Sequence, residues 1–356
     1  MLTPSRLVLA RTRRGLTAVE LARKAGTSPA SIGDYEHGRR RPRPDTAARL
    51  TEALGFPPGF LEADDVPEVE VAFDGTRAQP SQRQRDAAVS AARLAVDFDG
   101  WLSRAFTFPE PDVPTWEHPD PETAAEVVRA RWGIPHRPAP NMVHLLEAHG
   151  VRVFSLPPDC AAAGPFSCHH DGTPYVFLDP TAAPGQARFD TARELGHLTG
   201  NVDAHAFATA FLLPRAGVLA AIPRGPLTEH VVAHSATWHV SPLTLAHRLH
   251  ALGLLTRTQH ATVCAQLARR SAGTDRRTAG MDRGTAGMDR RETSQRLTKV
   301  FRALRARGTT PHGIARELLL DVEELNGLVF GLVLTALPGQ GDTGRPTRPN
   351  LTVVPR

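Results

Sequence analysis

Apolar side chains recur at steps of three and four through the first sixty residues: Leu7, Leu9 and Ala10, then Leu21 and Ala22, then Ala47, Leu50 and Leu54. That spacing places them on one face of a helix, so it predicts a run of short amphipathic helices. Gly15, Gly26, Gly38 and Gly55 punctuate the run and predict its turns. An acidic stretch over 62–70 leads into a helical pattern over 83–106, with Leu94, Val96, Phe98 and Leu102 apolar, and a Pro-rich loop over 108–121 follows. From there the pattern is mixed: helices near 122–131 and 141–149, strand-like runs over 151–156 and 175–178, and helices throughout 185–269. The hexapeptide TAGMDR occurs at 278–283 and again at 285–290 among few large apolar residues, so neither copy can bury a face and the segment reads as a flexible linker. A helical unit then precedes a Pro/Gly/Thr-rich tail.

The expected fold class is therefore mainly α with a small β-sheet, α+β. A five-helix domain is expected over 1–62, an acidic and Pro-rich linker with a connecting helix over 63–120, a mixed domain over 121–270, a flexible linker over 271–293, a small helical unit over 294–335 and a disordered tail over 336–356.

A chain of 356 residues is too long for one ordinary core, which agrees with at least two domains. The net charge of +5 favours polyanionic partners, although the basic residues are almost all arginine, with only Lys24 and Lys299 as lysines. No apolar run reaches the roughly 18 residues needed to span a bilayer, and the N-terminal residues lack the apolar core of a signal peptide. A cytoplasmic protein with no membrane partner is expected. Cys160, Cys168 and Cys264 lack the paired spacing of a zinc knuckle and read as free thiols, with a Cys160–Cys168 bond left open.

Chemistry enters first at 16–38. Thr17 suits the cap of one helix, Ser28 the cap of a second that begins at Pro29, and Ala25-Gly26-Thr27 the turn between them. Ala22 is small where the helices must cross, and Ile32 locks the second to the first. Together with Tyr35-Glu36-His37-Gly38-Arg39 and the following Pro42, Leu50, Leu54, Phe60 and Leu61, residues 2–61 resemble the Cro/C1 (XRE) family of helix-turn-helix domains. The resemblance implies binding of double-stranded DNA, with the second helix entering the major groove by its N-terminal end. It also implies a structural pair between Arg11 and Glu36. Thr17, Ser28 and Ser31 can reach phosphates or bases, while Arg39, Arg40, Arg41 and Arg43 can neutralise backbone charge. Relatives often carry glutamine at the positions of Ala18 and Ala30, so base readout here falls to apolar contact from Ala30, to Ser31, to Asp34 and to DNA shape. A single such domain reads a half-site, so a homodimer is expected. A helix-turn-helix kept only for protein docking is the competing reading of these residues.

The second chemical stretch is Arg193-Glu194-Leu195-Gly196-His197. It departs at one position from the zinc-protease helix HExxH, in which two histidines share one face and the glutamate activates a zinc-bound water. With residues 141–154, the strand-like Thr173 to Leu178, the run Asp203 to Pro214 and the later Trp238 to Gly253, this region resembles the ImmA/IrrE family of metallopeptidase-like domains over about 80–270. The resemblance implies a zincin-like fold, with Glu194 as the catalytic base, His197 as a metal ligand and Asp203 where relatives place a glutamate ligand. Arg193 occupies the place of the first metal histidine, and its permanent charge repels zinc. Its guanidinium can instead bond Asp203 or Glu194 and replace the ion electrostatically.

No cofactor is expected, and zinc only if a further ligand supplies the missing bond. Cys168-His169-His170-Asp171 sits before Gly172 in an apparent hairpin turn and reads as an exposed loop; the other histidines read as ordinary helix residues. The region Thr310 to Phe330 loosely resembles another helix-turn-helix, without its arginines, and reads as packing or dimerisation. The expected function is a DNA-binding transcriptional regulator whose second domain is non-catalytic and senses a small molecule or a protein partner. The alternatives are a zinc endopeptidase that cleaves a transcription factor and an antitoxin-like protein-binding module.

Overall fold

The computed structural model describes residues 2–71, 80–117, 120–275, 291–332 and 354–355. Both TAGMDR copies lie outside the described residues, as does the expected tail apart from Val354 and Pro355.

The N-terminal helices are α1 (Pro4–Arg13), α2 (Ala18–Lys24), α3 (Pro29–Glu36), α4 (Pro44–Leu54) and α5 (Gln82–Ser103), followed by strand β1 (Phe106–Thr107). Next come α6 (Pro121–Arg131), α7 (Met142–Ala148), β2 (Arg152–Ser155), β3 (Phe166–His170) and β4 (Thr173–Leu178). Helices α8 (Pro184–Leu198), α9 (Ala204–Leu212), α10 (Arg215–Ala221), α11 (Thr228–Trp238), α12 (Pro242–Ala251) and α13 (Arg257–Asp275) follow without a strand between them. The C-terminal elements are α14 (Gln295–Ala306), α15 (Pro311–Leu318), α16 (Val322–Leu328) and β5 (Val354–Pro355). The chain is thus mainly helical with a small mixed sheet in the order β2-β4-β3, parallel between β2 and β4 and antiparallel between β3 and β4. Strand β5 pairs with β1.

These elements form two compact units, neither continuous in sequence. The first takes Met1–Pro111, Gly150–Thr181 and Ser294–Arg356; the second takes Asp112–His149 and Ala182–Thr293. The stretch 121–270, read from the sequence as one domain, is divided between them.

In the first unit one apolar core runs from Leu7, Leu21 and Ile32 through Phe98, Phe154 and Phe177 to Phe301, Ile314 and Leu325. Helix α5 is its spine. Ser81 and Gln84 form a capping box at its start, and Ala87, Ala88, Ala91, Ala92 and Ala95 are buried along with Leu94, Phe98 and Leu102. Small side chains on several faces let neighbours approach from more than one side, and α1 packs there with Thr12 Oγ1 2.7 Å from Ser90 Oγ.

This corrects the reading of 63–120 as a linker with a connecting helix. Val66 and Val69 are buried, and Arg93 donates to the carbonyls of Val66 and Pro67 and to Glu68, so the acidic stretch is strapped to α5 by complementary charge. The N-terminal domain differs too: it has four α-helices and a single 3-10 turn, Phe60–Glu62, instead of five helices. At the other expected linker, α13 continues to Asp275, and Glu292 accepts from the backbone of Met142 and from Arg188, so both ends of 271–293 are structured.

In the second unit, α8 and α9 cross so closely that a Cβ on Gly196 would lie 2.9 Å from the Phe207 ring. Arg129 is fully buried and donates to the carbonyls of Phe211, Ile134, Arg137 and Pro135, which ties α6 to the end of α9. Desolvation there pushes its pKa down to about 10. Arg248 performs a similar task, joining the Leu213 carbonyl to both oxygens of Glu122.

Candidate nucleic-acid interface

Local rules set the geometry of α2, the turn and α3. Thr17 accepts from Glu20 N at 3.1 Å while Glu20 accepts from Thr17 N at 2.7 Å, a reciprocal capping box that starts α2. Ser28 accepts from Ser31 N at 3.1 Å and Pro29 fills the first helical position, which starts α3. Between them Gly26 has φ +60°, and Thr27 N donates to the Ala22 carbonyl at 2.9 Å. Leu21, Ala22, Ala25 and Ile32 are buried and hold the two helices together. Arg49 of α4 braces the turn by donating to the Ala25 carbonyl at 2.9 Å.

Arg11 and Glu36 form a two-bonded pair on the inner side, the second bond 3.1 Å long, and Arg11 also donates to the Leu16 carbonyl. The pair is largely shielded, with side-chain exposures of 17% and 10%, so it braces α1 against α3 and is not available to a ligand.

Helix α3 ends on Gly38 at φ +69°, where Gly38 N donates to Tyr35 O and Arg39 N to Asp34 O. This left-handed stop turns the chain back and sends Arg39, Arg40, Arg41 and Arg43 out as an exposed basic loop before α4. Arg39 is tied to Asp34, Nε to Oδ1 at 2.9 Å. Arg40, Arg41 and Arg43 have no carboxylate partner among the described residues. Thr17, Ser28 and Ala30 are exposed and Ser31 and Asp34 half-buried, so the residues expected at DNA lie on α2, α3 and the loop after them. Ser28 and Ser31 also share a hydroxyl–hydroxyl bond of 2.9 Å.

The domain docks through its other side. Arg13 donates to Glu324 and Asp159, Arg14 to Glu324, and Arg6 to the Asp64 carbonyl. The side chains of Arg13 and Glu324 are 3% and 5% exposed, so removing one would leave the other's charge in poor solvent. The packing surface of α1 is consumed, and the tips of α2 and α3 are left to solvent.

Some contributors have no distinctive sequence signal. Arg23 and Lys24, exposed in the last turn of α2, extend the positive surface, yet basic residues at a helix C-terminus are equally explained by the helix dipole. Exposed His37, whose Nδ1 is 2.6 Å from the Gly33 carbonyl, sits beside the arginine loop.

The altered protease motif has a different character. Arg193, Glu194 and Asp190 are buried on α8. Arg193 Nη2 donates to Glu194 Oε1 at 3.1 Å, and its Nη1 lies 3.8 Å from Asp190 Oδ1. Asp203 is exposed and caps α9 by accepting from Ala206 N at 2.9 Å, while His197 is half-buried. Of the two partners foreseen for Arg193, Glu194 is present and Asp203 is turned to the helix cap.

The Cys168-His169-His170-Asp171 cluster is not an exposed loop, because its first three residues end strand β3. Cys168 faces the core, where burial pushes its thiol up to about 12, His169 is exposed, and Asp171 enters the turn at φ +47°. Alternation along the strand turns His169 to the face opposite Cys168 and His170. Cys160 and Cys168 are both free thiols.

A family model described as helix-turn-helix matches residues 7–61, the segment whose geometry is given above. No curated protein and no solved structure matches the chain. Residues 7–61 are accordingly a helix-turn-helix domain of the DNA-binding regulator type. No single helix among the described residues is long and apolar enough to cross a membrane.

Proposed function

We propose that the chain is a transcriptional regulator of the Cro/C1 type that binds double-stranded DNA through α2, α3 and the arginine loop, and whose second unit is a non-catalytic sensing or partner-binding module. One observation carries this: the outer residues of α2 and α3, Thr17, Ser28 and Ala30 among them, and Arg40, Arg41 and Arg43 stay exposed while the opposite side of the domain is docked. Exposed guanidiniums without carboxylate partners are what phosphate neutralisation requires. Ala18 and Ala30 offer no hydrogen bonds to base edges, so sequence choice rests on Ser31, Asp34 and the shape of the duplex. A homodimer on two half-sites supplies the specificity that one domain lacks.

The non-catalytic reading of α8 rests on its charges. In a zinc peptidase Glu194 would have to be free to take a proton from water; here it accepts from Arg193, a cation at the place of a metal ligand. The ImmA/IrrE likeness is thus proposed as a likeness of fold without its hydrolytic chemistry.

Genome-wide mapping of DNA bound by the intact protein tests the assignment. Discrete enriched sites, lost in a variant carrying Arg39→Ala and Arg41→Ala, are expected. Enrichment no greater than input, or unchanged in that variant, would return the domain to a protein-docking role.

A further inference from the structure

The histidines of the second unit are not all ordinary surface residues. His247 and His250 lie on α12, and His260 and Cys264 on α13, the helix packed against it. His260 and Cys264 are four apart and share a helix face. His247 reaches them from the facing helix: His260 Nε2 is 3.0 Å from His247 Nδ1 and 3.3 Å from Cys264 Sγ. These three atoms all lie within 4.8 Å of one another, and no other group of three such residues among those described comes as close.

Two heteroatoms on one ring nitrogen pose a bonding problem. A neutral imidazole nitrogen has either one proton or one lone pair, so it can serve His247 and Cys264 together only by sharing it in a weaker three-centre bond. A cation at the centre serves all three. Zinc bonds of about 2.05 Å to nitrogen and about 2.3 Å to thiolate at tetrahedral angles require separations of about 3.3 Å for N···N and about 3.6 Å for N···S. The two separations from His260, 3.0 Å to His247 and 3.3 Å to Cys264, are within a few tenths of an ångström of these values, and the third, between His247 and Cys264, is under 4.8 Å.

We propose that His247 Nδ1, His260 Nε2 and Cys264 Sγ bind one zinc ion, which clips α12 to α13, with solvent as the fourth ligand. Imidazole and thiolate donors select a borderline metal such as zinc over magnesium or calcium. On binding, the Cys264 thiol loses its proton to solvent, both imidazoles bind as neutral rings, and no redox change occurs. His250 is a positioning residue: its ring stacks on His260 at 4.7 Å between centroids, and its Nδ1 is held 3.0 Å from the Leu255 carbonyl. The site is separate from His197 on α8 and does not depend on the DNA-binding assignment.

Cobalt(II) titration of the reduced full-length protein tests it. One cobalt per chain is expected, with a thiolate-to-cobalt charge-transfer band that zinc abolishes by displacement. Cys264→Ser should remove the band, and His260→Ala should weaken binding by more than the about 10–100-fold typical for loss of an outer-shell partner. Far-UV circular dichroism identifies any variant that has failed to fold, and His197→Ala, outside the site, should bind as the wild type does. A wild-type protein without the band, a band that survives Cys264→Ser in a folded protein, or a band lost in a folded His197→Ala protein would overturn the proposal.

Discussion

The arginines of the loop after α3 and the arginine of α8 share a side chain and differ in everything around it. Arg40, Arg41 and Arg43 are exposed without a carboxylate partner among the described residues, so their charge is directed outward. Arg193 is 6% exposed, bonded to Glu194 and near Asp190, so its charge is consumed within the fold. Composition counts the two kinds alike. What separates them is desolvation: an exposed guanidinium is available to a polyanion, whereas a buried one must be satisfied within the fold, by a carboxylate as at Arg193 or by carbonyls as at Arg129.

Substitutions sharpen the contrast. The largest effect on stability is expected from Arg193→Ala, which leaves Asp190 and Glu194 buried without their shared cation and should cost about 3–5 kcal/mol in urea unfolding of the second unit. Arg41→Ala should change stability by less than about 0.5 kcal/mol. Equal costs would erase the distinction. Gly196→Ala comes next, since its methyl would overlap the Phe207 ring where α8 crosses α9; a loss of about 1–3 kcal/mol is expected in the same assay. The smallest effect is on binding. Asp34→Asn removes a negative charge from α3 and frees Arg39, so affinity for non-specific duplex should rise by no more than about fivefold, the equivalent of about 1 kcal/mol for an exposed pair. A fall in affinity together with relaxed sequence preference would instead mark Asp34 as a reader of bases.

The helix-turn-helix was legible because its determinants are local. Thr17, Ser28, Pro29, Gly26 and Gly38 each act within a few residues of themselves, and their spacing is visible along the chain. The shared core was not legible. Periodicity in α5 marks apolar faces without naming what covers them, and the charge of residues 62–70 hid Val66 and Val69, which anchor that segment. Of the α8 motif, the Arg193–Glu194 contact joins neighbours that a helix points about 100° apart, and the turn of Asp203 to cap α9 depends on how the following helix starts, so the sequence offers both as partners of Arg193 without choosing between them. The His247, His260 and Cys264 cluster is tertiary, since no spacing rule brings α12 and α13 together.

The central claim is that the exposed arginines of the N-terminal domain bind DNA. Its most direct test is the salt dependence of duplex binding by the full chain, measured by fluorescence anisotropy beside a variant carrying Arg40→Ala, Arg41→Ala and Arg43→Ala. Each phosphate neutralised adds about 0.9 to the slope of log affinity against log salt. The variant should therefore bind more weakly at every salt concentration, with a slope shallower by up to about 2.7. Equal slopes and equal affinities for the two proteins would contradict it.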